Sequence, residues 1–224
     1  MDEVLKNDTF RGNGVRRRVA RDLETERSIL EYLSKDIDSV VRKGVAANPH
    51  TPSEVLEQLA KDEMLCVRMA VAINPNTSKE TLMQLADDIQ YHVRNSVAKN
   101  QNTPVEVLKK LAKDYVIDVV RSVAGNCNTP KETLEQLSEE IDRDVKIAVA
   151  ANPNTPLDTL VGLANESDLE VEMSIVGNLS KYFGFRKDFI LKSELRHSDL
   201  IKGQEDSEID LDTFSLREFL LMQK

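Results

Sequence analysis

The sequence predicts an all-α solenoid of about six helix-pair repeats, each 26 residues long. Three observations support this prediction: an asparagine, a pair of leucines and a pair of valines all recur with the same period. A fixed period between roughly 20 and 50 residues is typical of stacked repeats. The recurring asparagines are Asn48, Asn74, Asn100, Asn126 and Asn152, and Asn178 extends the series.

The first helix of each repeat has recognisable start signals. In the repeat that begins at Asn48, it is predicted roughly over residues 52–61, with Leu56 and Leu59 on one face. Thr51 is followed three residues later by Glu54, and this spacing predicts a capping box. The intervening proline would then occupy the first helical position, where its missing N–H costs nothing.

The second helix of the same repeat is predicted roughly over residues 64–73, with Val67 and Val71 on its inner side. Asn74 should end it, since asparagine tolerates the left-handed backbone that often closes a helix. No stretch alternates apolar and polar residues as a half-buried strand does. One such helix pair cannot bury its apolar face alone, so neighbouring pairs must share a core.

The repeat pattern divides the chain into three predicted segments. Residues 1–21 form an N-terminal cap with a basic cluster, residues 22–180 form the repeats, and residues 181–224 form a C-terminal helical extension with an acidic linker. A second capping box, Ser215 to Glu218, predicts a short helix near the end. That helix either folds back as a cap or docks on another protein or a second copy.

Composition narrows the class of protein. The 224 residues are 40% hydrophobic and 31% charged, and the net charge of −9 argues against a general polyanion binder. The two cysteines, Cys66 and Cys127, lie too far apart in a stack to pair, so free thiols and a reducing, cytoplasmic location are expected. The N-terminus does not resemble a signal peptide, and no apolar run has the length of a membrane span.

Motifs for catalysis are missing from the sequence. The three histidines, His50, His92 and His197, show no metal-ligand spacing, and no HExxH, GxSxG or P-loop pattern occurs. We therefore expect a protein that is not an enzyme and that carries no metal or cofactor.

The repeat itself resembles a known family. The run Val-Arg-x-(small)-Val-Ala-x-Asn-Pro-Asn-Thr-Pro-x-x-x-Leu-x-x-Leu-Ala-x-Asp occurs at residues 67–88 with one substitution and at residues 145–166 with two. It is similar to the leucine-rich repeat variant family, within the HEAT-like α-solenoids. The resemblance covers roughly residues 15–180 and implies a right-handed superhelix of short helix pairs. One founding member holds an iron–sulfur centre in an N-terminal cysteine cluster. No cysteine precedes Cys66 in this chain, so that cofactor is not expected here.

Two polar columns are predicted to hold the repeats together. The asparagines should donate hydrogen bonds to buried carbonyls of neighbouring turns. The acids Asp36, Asp62 and Asp88 each precede an arginine by six residues, namely Arg42, Arg68 and Arg94. Pairing within or between repeats is expected. The alternative is a row of free cations for phosphate groups, which would make the chain a nucleic-acid-binding solenoid. That column is Arg16, Arg42, Arg68, Arg94 and the displaced Arg121.

The rest of the second-helix surface varies from repeat to repeat, and solenoids commonly bind their partners on such a surface. We therefore expect a non-enzymatic scaffold that binds a protein or peptide there, the alternative being ordinary solvated surface. No membrane partner is expected. The candidate partner-binding residues are Lys43, Cys66, Met69, Ile73, His92, Asn95, Lys99, Asp118 and Arg121.

Two terminal features leave further alternatives open. A basic cluster that includes Arg11, Arg18 and Arg21 could contact nucleic acid or simply be solvated. The apolar segment at residues 214–224 could join copies of the chain into a structural homo-oligomer.

Overall fold

A computed structural model describes residues 12–166 and 168–183 of the protein, with side chains as far as residue 179. Within these residues there are thirteen α-helices and no β-strand. The chain separates into two compact units, divided between Asn128 and Thr129. The predicted all-α solenoid is confirmed. Most of the predicted C-terminal extension, including residues 214–224, lies outside the described residues, as does Arg11.

The first unit holds nine helices in its described part. They are α1 (Asn13–Arg21), α2 (Arg27–Leu33), α3 (Ser39–Ala47), α4 (Ser53–Leu59), α5 (Leu65–Ile73), α6 (Lys79–Leu85), α7 (Tyr91–Lys99), α8 (Val105–Leu111) and α9 (Ile117–Gly125). The odd-numbered helices are the second helices of their repeats, and each packs against the next odd-numbered helix. The even-numbered helices are shorter and lie against the second helices beside them.

The second unit repeats the same construction in its described part. Its helices are α10 (Lys131–Ser138), α11 (Arg143–Ala151), α12 (Leu157–Ala164) and α13 (Leu169–Phe183). The second helices α11 and α13 pack against each other, and α10 packs against α12.

The recurring apolar residues form the core in both units. The valines of α5 and the leucines of α4 and α6 are buried, with Val67, Val71 and Leu82 fully inaccessible to solvent. Each such side chain contributes about 1.5–3 kcal/mol by leaving water. The repeat period therefore places one apolar stripe per helix against its neighbours.

The first helices begin differently from the prediction. The capping box at Thr51 is wrong, because Pro52 is the N-cap residue and Ser53 is the first helical residue. The Thr51 hydroxyl instead donates to the carbonyl of Val45, at 2.6 Å, in the last turn of the preceding helix. The same bond recurs at Thr77, Thr103 and Thr155. Where serine replaces proline, at Ser78, the hydroxyl does cap the helix by accepting from the N–H of Thr81.

The asparagines end the second helices by side-chain chemistry. Asn74 adopts an extended backbone, with φ −62° and ψ 130°, so the predicted left-handed conformation is wrong. Its side-chain NH2 donates to the carbonyls of Ala46 and Asn48 in the preceding repeat, at 2.7 and 2.8 Å. Its side-chain oxygen accepts from the N–H of Asn76. One buried amide thus fixes its own turn and the turn before it.

This asparagine ladder recurs through both units. Asn48, Asn100 and Asn126 make the same pair of donated bonds in the first unit, and Asn178 makes them in the second. Asn152 is equally buried, and its side-chain oxygen accepts from the N–H of Asn154. Buried carbonyls require hydrogen-bond donors, and the ladder supplies them at each turn.

A second ladder joins arginines to aspartates of the next repeat. Arg68 donates from Nε and Nη2 to the two carboxylate oxygens of Asp88, at 2.6 and 3.2 Å, and from Nη1 to the backbone carbonyl of Asp62. Arg16, Arg42 and Arg94 pair in the same way with Asp36, Asp62 and Asp114. The arginine side chains are only 8–15% exposed.

The partner of each arginine therefore lies further along the chain, in the turn of the next repeat. Asp114 thus belongs to the ladder as the partner of Arg94. Asp114 cannot be found by searching for acids six residues before an arginine, because residue 120 is a valine. The displaced Arg121 is not part of the ladder, since it pairs with Asp118 on its own helix. In the second unit Lys146 pairs with Glu166 at 2.6 Å.

Replacing Asn74 by alanine should destabilise the protein by about 2–4 kcal/mol, because two carbonyls and one N–H lose their partner in a buried turn. Urea denaturation measures this. Asn76→Ala is the matched control: the Asn76 side chain is exposed and donates only to the carbonyl of Pro49, so a loss below about 1 kcal/mol is expected. Equal losses for the two variants would contradict the role of the ladder.

The arginine ladder predicts how stability depends on pH. Burial alone would raise the pKa of Asp88, but the bonds from Arg68 and from the N–H of Gln90 outweigh it, so the pKa lies below its usual value. Asp62 and Asp114 behave alike. Carboxylates with a lowered pKa stabilise the fold above the unfolded pKa, and that stability is lost as the pH falls through the folded value.

We therefore expect the free energy of unfolding to decline below about pH 4, where the unfolded chain binds protons first. Arg68→Met should be less stable than the wild type at pH 7. This difference should narrow on acidification, as Asp88 becomes protonated in both proteins. Denaturation series at several pH values test this, and a difference that widens below pH 4 would contradict it.

Candidate binding face

The candidate site is one side of the second helices in the first unit, and its residues are exposed or half-buried except for Gly44 and Ser96, which are buried. We define the variable face as four register positions on each of α1, α3, α5 and α7. Its sixteen residues are Gly14, Arg17, Arg18 and Arg21; Val40, Lys43, Gly44 and Ala47; Cys66, Met69, Ala70 and Ile73; and His92, Asn95, Ser96 and Lys99.

An apolar groove opens on this face between α3 and α5. It has a volume of about 330 Å³. Its lining residues are Lys43, Ala47, Cys66, Met69, Ala70, Ile73, Asn74 and Pro75, with no acid among them. Four predicted site residues, Lys43, Cys66, Met69 and Ile73, thus lie together in one depression.

Side-chain size explains why the groove is open. Ala47 and Ala70 project little, while Ile73 remains 57% exposed at one wall. Gly44 lets α3 approach α1 closely, since a Cβ there would lie 3.0 Å from the Cβ of Ala20. Met69 and Cys66 are half-buried, and methionine adapts its shape readily to an apolar ligand. The groove therefore combines a fixed backbone with adaptable side chains.

The structure places His92, Asn95 and Lys99 on α7, outside the lining of this groove. The Asn95 side-chain oxygen accepts a hydrogen bond from the Ser122 hydroxyl at 2.5 Å, so Asn95 ties α7 to α9. The His92 ring stacks on Tyr91, with centroids 3.9 Å apart. Lys99 is exposed at the end of the helix and has no ion-pair partner among the described residues.

Asp118 and Arg121 form an ion pair with each other on α9, at 2.5 Å, and both are nearly half exposed. The pair carries no net charge. We therefore place the basic part of the candidate face on α1 to α7.

A second hollow, the basic pocket, lies against α1. It has a volume of about 470 Å³ and is lined by Gly14, Arg17, Arg18, Arg21 and Asp22. Arg17 pairs with Asp38 at 2.7 Å, and that carboxylate also accepts from the N–H of Val40. Arg18 and Arg21 are exposed and have no ion-pair partner within the described residues.

The arginine column does not offer free cations to phosphate groups. In Arg42, Arg68 and Arg94, Nε and Nη2 are both occupied by the aspartate of the next repeat, and Nη1 by a backbone carbonyl. The nucleic-acid alternative requires unpaired guanidinium groups in this column, and Arg42, Arg68 and Arg94 do not provide them.

Sequence reasoning missed a set of exposed apolar residues in the turns between the helices of each pair. Ile37, Ile89 and Tyr115 are 94%, 84% and 85% exposed in the first unit, and Ile141 is 97% exposed in the second. Ile37, Ile89 and Tyr115 each directly follow an aspartate of the arginine ladder. The Tyr115 ring lies over the Arg94 guanidinium, 5.0 Å from its carbon to the ring centroid. The signal in the sequence is an apolar residue that recurs at 26-residue spacing inside a polar turn, with Glu63 and Ser167 as exceptions.

The described residues contain no group of three or more His, Cys, Asp or Glu side chains arranged to hold a metal. None of the helices that the structure describes has the length and apolar character needed to cross a membrane. Cys66 and Cys127 form no disulfide: Cys66 is half-buried in the groove, and Cys127 is exposed, where its thiol donates to the side-chain oxygen of Gln101 at 2.6 Å.

Comparison with known proteins identifies the repeat. A family model for the leucine rich repeat variant matches residues 40–64. A solved structure described as a leucine-rich repeat variant with a novel repetitive protein structural motif is 31% identical. The match covers 79% of this chain and 69% of that chain, with a TM-score of 0.56. The chain belongs to the leucine-rich repeat variant family. No curated protein matches it.

Membership of the leucine-rich repeat variant family accounts for the frame of the molecule. The segment matched by the family model runs from α3 to the turn before α5, and so includes Lys43 and Ala47 of the apolar groove. The remaining groove residues, Cys66 to Pro75, belong to the next repeat. The groove is thus formed where two consecutive variant repeats meet.

Proposed function

We propose that this leucine-rich repeat variant protein is a non-catalytic scaffold that binds a segment of a partner protein in the apolar groove. The proposal rests on the different roles that the residues of α5 and the following turn have. Val67 and Val71 fill the core, Arg68 and Asn74 hold the neighbouring repeats, and Met69 and Ile73 remain on the surface around a groove.

The size of the groove indicates what it holds. Its volume of about 330 Å³ lies at the lower end of the range for small-molecule pockets. It accommodates one or two large apolar side chains, each of which gains about 1.5–3 kcal/mol on full burial. A peptide that places two such side chains in the groove therefore gains binding free energy from both, and further contacts along the face add to it.

The repetition of the polar residues supports a non-catalytic role. A reaction requires one constellation of groups, whereas the asparagines and arginines recur in successive repeats with the same partners. Nucleic-acid binding through the arginine column is not favoured, because those guanidinium groups are already paired. A homo-oligomer joined through residues 214–224 involves residues outside the described part of the chain.

Selection of displayed random peptides on the full chain tests the proposal. Peptides enriched on the wild type should bind Met69→Glu at least about tenfold more weakly, which corresponds to about 1.4 kcal/mol. The reason is that the introduced carboxylate would have to lose its water when an apolar side chain enters the groove. Affinities measured by fluorescence anisotropy check this.

Met83→Glu is the matched control, because it makes the same substitution at a methionine on α6 that is half exposed and lies outside the groove. It should leave affinity unchanged, and both variants should unfold at the wild-type temperature. Peptides that bind Met69→Glu as well as they bind the wild type would contradict the assignment of the groove. A selection that enriches no binder at all would contradict the proposed function.

A further inference from the structure

The charge of the variable face is opposite in sign to that of the whole chain. The chain has 39 acidic and 30 basic residues and a net charge of −9. Not one of the sixteen positions on the variable face is acidic. Its cations are Arg17, Arg18, Arg21, Lys43 and Lys99.

The two hollows on this face occupy the same register. Gly14, Arg17, Arg18 and Arg21 line the basic pocket, and the residues at the same positions two repeats later, Cys66, Met69, Ala70 and Ile73, line the apolar groove. Helix α3 packs between α1 and α5 and supplies Lys43 to the groove. A single ligand lying across the second helices would therefore meet both hollows.

Most of these cations are available to a ligand. Arg17 is held by Asp38. Arg18, Arg21, Lys43 and Lys99 have no ion-pair partner among the described residues, and all four are exposed. The one acid in the basic pocket, Asp22, accepts a hydrogen bond from the N–H of Glu24. In contrast, the ladder arginines are almost fully enclosed and paired.

We propose that the partner segment is an acidic peptide: its apolar side chains enter the groove at Met69 and Ile73, and its aspartate or glutamate carboxylates contact Arg18, Arg21 and Lys43. This inference rests on the proposed function, and it names the chemistry of the partner. The overall negative charge of the protein repels an acidic peptide elsewhere on its surface. The basic face therefore selects both the ligand and the position at which it binds.

The observations favour a peptide over a nucleic acid. Tracks for single-stranded nucleic acids combine cations with aromatic rings on which bases stack. The sixteen positions of the variable face include no Phe, Tyr or Trp, and the row of cations is interrupted at α5 by the apolar groove. An apolar interruption suits a peptide with hydrophobic side chains next to its acids.

The peptides selected on the wild-type chain provide the first test. They should be enriched in Asp and Glu beside a pair of large apolar residues. One such peptide is then compared with its isosteric form, in which every Asp becomes Asn and every Glu becomes Gln. On the full chain in low salt, the acidic form should bind about five- to tenfold more tightly, as expected for two or three exposed charge pairs. The advantage should vanish near 1 M salt, where screening is nearly complete.

Variants of the full chain locate the contact. Arg18→Gln with Arg21→Gln should remove most of the advantage of the acidic peptide over its isosteric form, because of the three proposed contacts only Lys43 remains, and should leave binding of the isosteric form unaffected. Lys109→Gln with Lys113→Gln is the matched control, because it removes two exposed cations away from this face and should change neither affinity.

Three results would overturn the inference in different ways. Selected peptides without acidic enrichment, still sensitive to Met69→Glu, would reject the acidic partner and retain the groove. Binding insensitive to Met69→Glu would reject the proposed function together with the inference. A single-stranded oligonucleotide that binds more tightly than the acidic peptide, and that is lost in Arg18→Gln with Arg21→Gln, would assign the face to nucleic acid instead.

Discussion

The side-chain amide of the recurring asparagine is the interaction on which the rest of each unit depends. At Asn74 it donates twice to carbonyls of the preceding repeat and accepts once within its own turn. The three bonds join the turn after one second helix to the turn after the preceding one. They thereby restrain the distance and the angle between the two helices. The bonds are buried, and they use both N–H groups of the amide and one of the two lone pairs on its oxygen. Few other side chains can therefore fit this position. The strict spacing of the asparagines follows from this geometry.

The arginine ladder adds a second restraint and also determines which charges stay available. Arg42, Arg68 and Arg94 each bind one carboxylate and a backbone carbonyl in the turn before their own helix, so their charges are neutralised inside the frame. On the second helices α1, α3, α5 and α7, the cations that remain exposed are those of the variable face, and Lys43 among them lines the apolar groove. On α5, the residues that hold the frame, Val67, Arg68 and Val71, are separate from Met69 and Ile73 at the groove, so these two residues can vary without disturbing the stack.

Much of this could be predicted from the sequence, because a period detects residues that repeat a contact. The core valines and leucines and the placement of the asparagines belong to this group. The chemistry of single contacts was harder to infer. Thr51 has the spacing of a capping residue, yet its hydroxyl is used by the carbonyl of Val45. Asp114 was overlooked because its arginine lies in the preceding repeat, a relation that only stacking reveals.

The surface was predictable only in part, for a physical reason. Variation between repeats marks positions that the frame does not use, and it placed Lys43, Cys66, Met69 and Ile73 on one face. Whether those residues surround a depression depends on the small side chains Ala47 and Ala70 and on the approach of neighbouring helices. The exposed Ile37, Ile89 and Tyr115 lie in turns, and the repeat pattern identifies these turns only as connections between helices.

Chemical-shift mapping of backbone amides by NMR, with a selected peptide added to the full chain, shows whether the frame stays fixed while the variable face binds. Shifts should concentrate at Lys43, at Cys66, Met69 and Ile73 and at Arg18 and Arg21, whereas the ladder turns around Asn100 and Asn126, which do not line the groove, should change little. Shifts centred on the turns at Ile37, Ile89 and Tyr115, or spread through the ladders, would contradict this expectation.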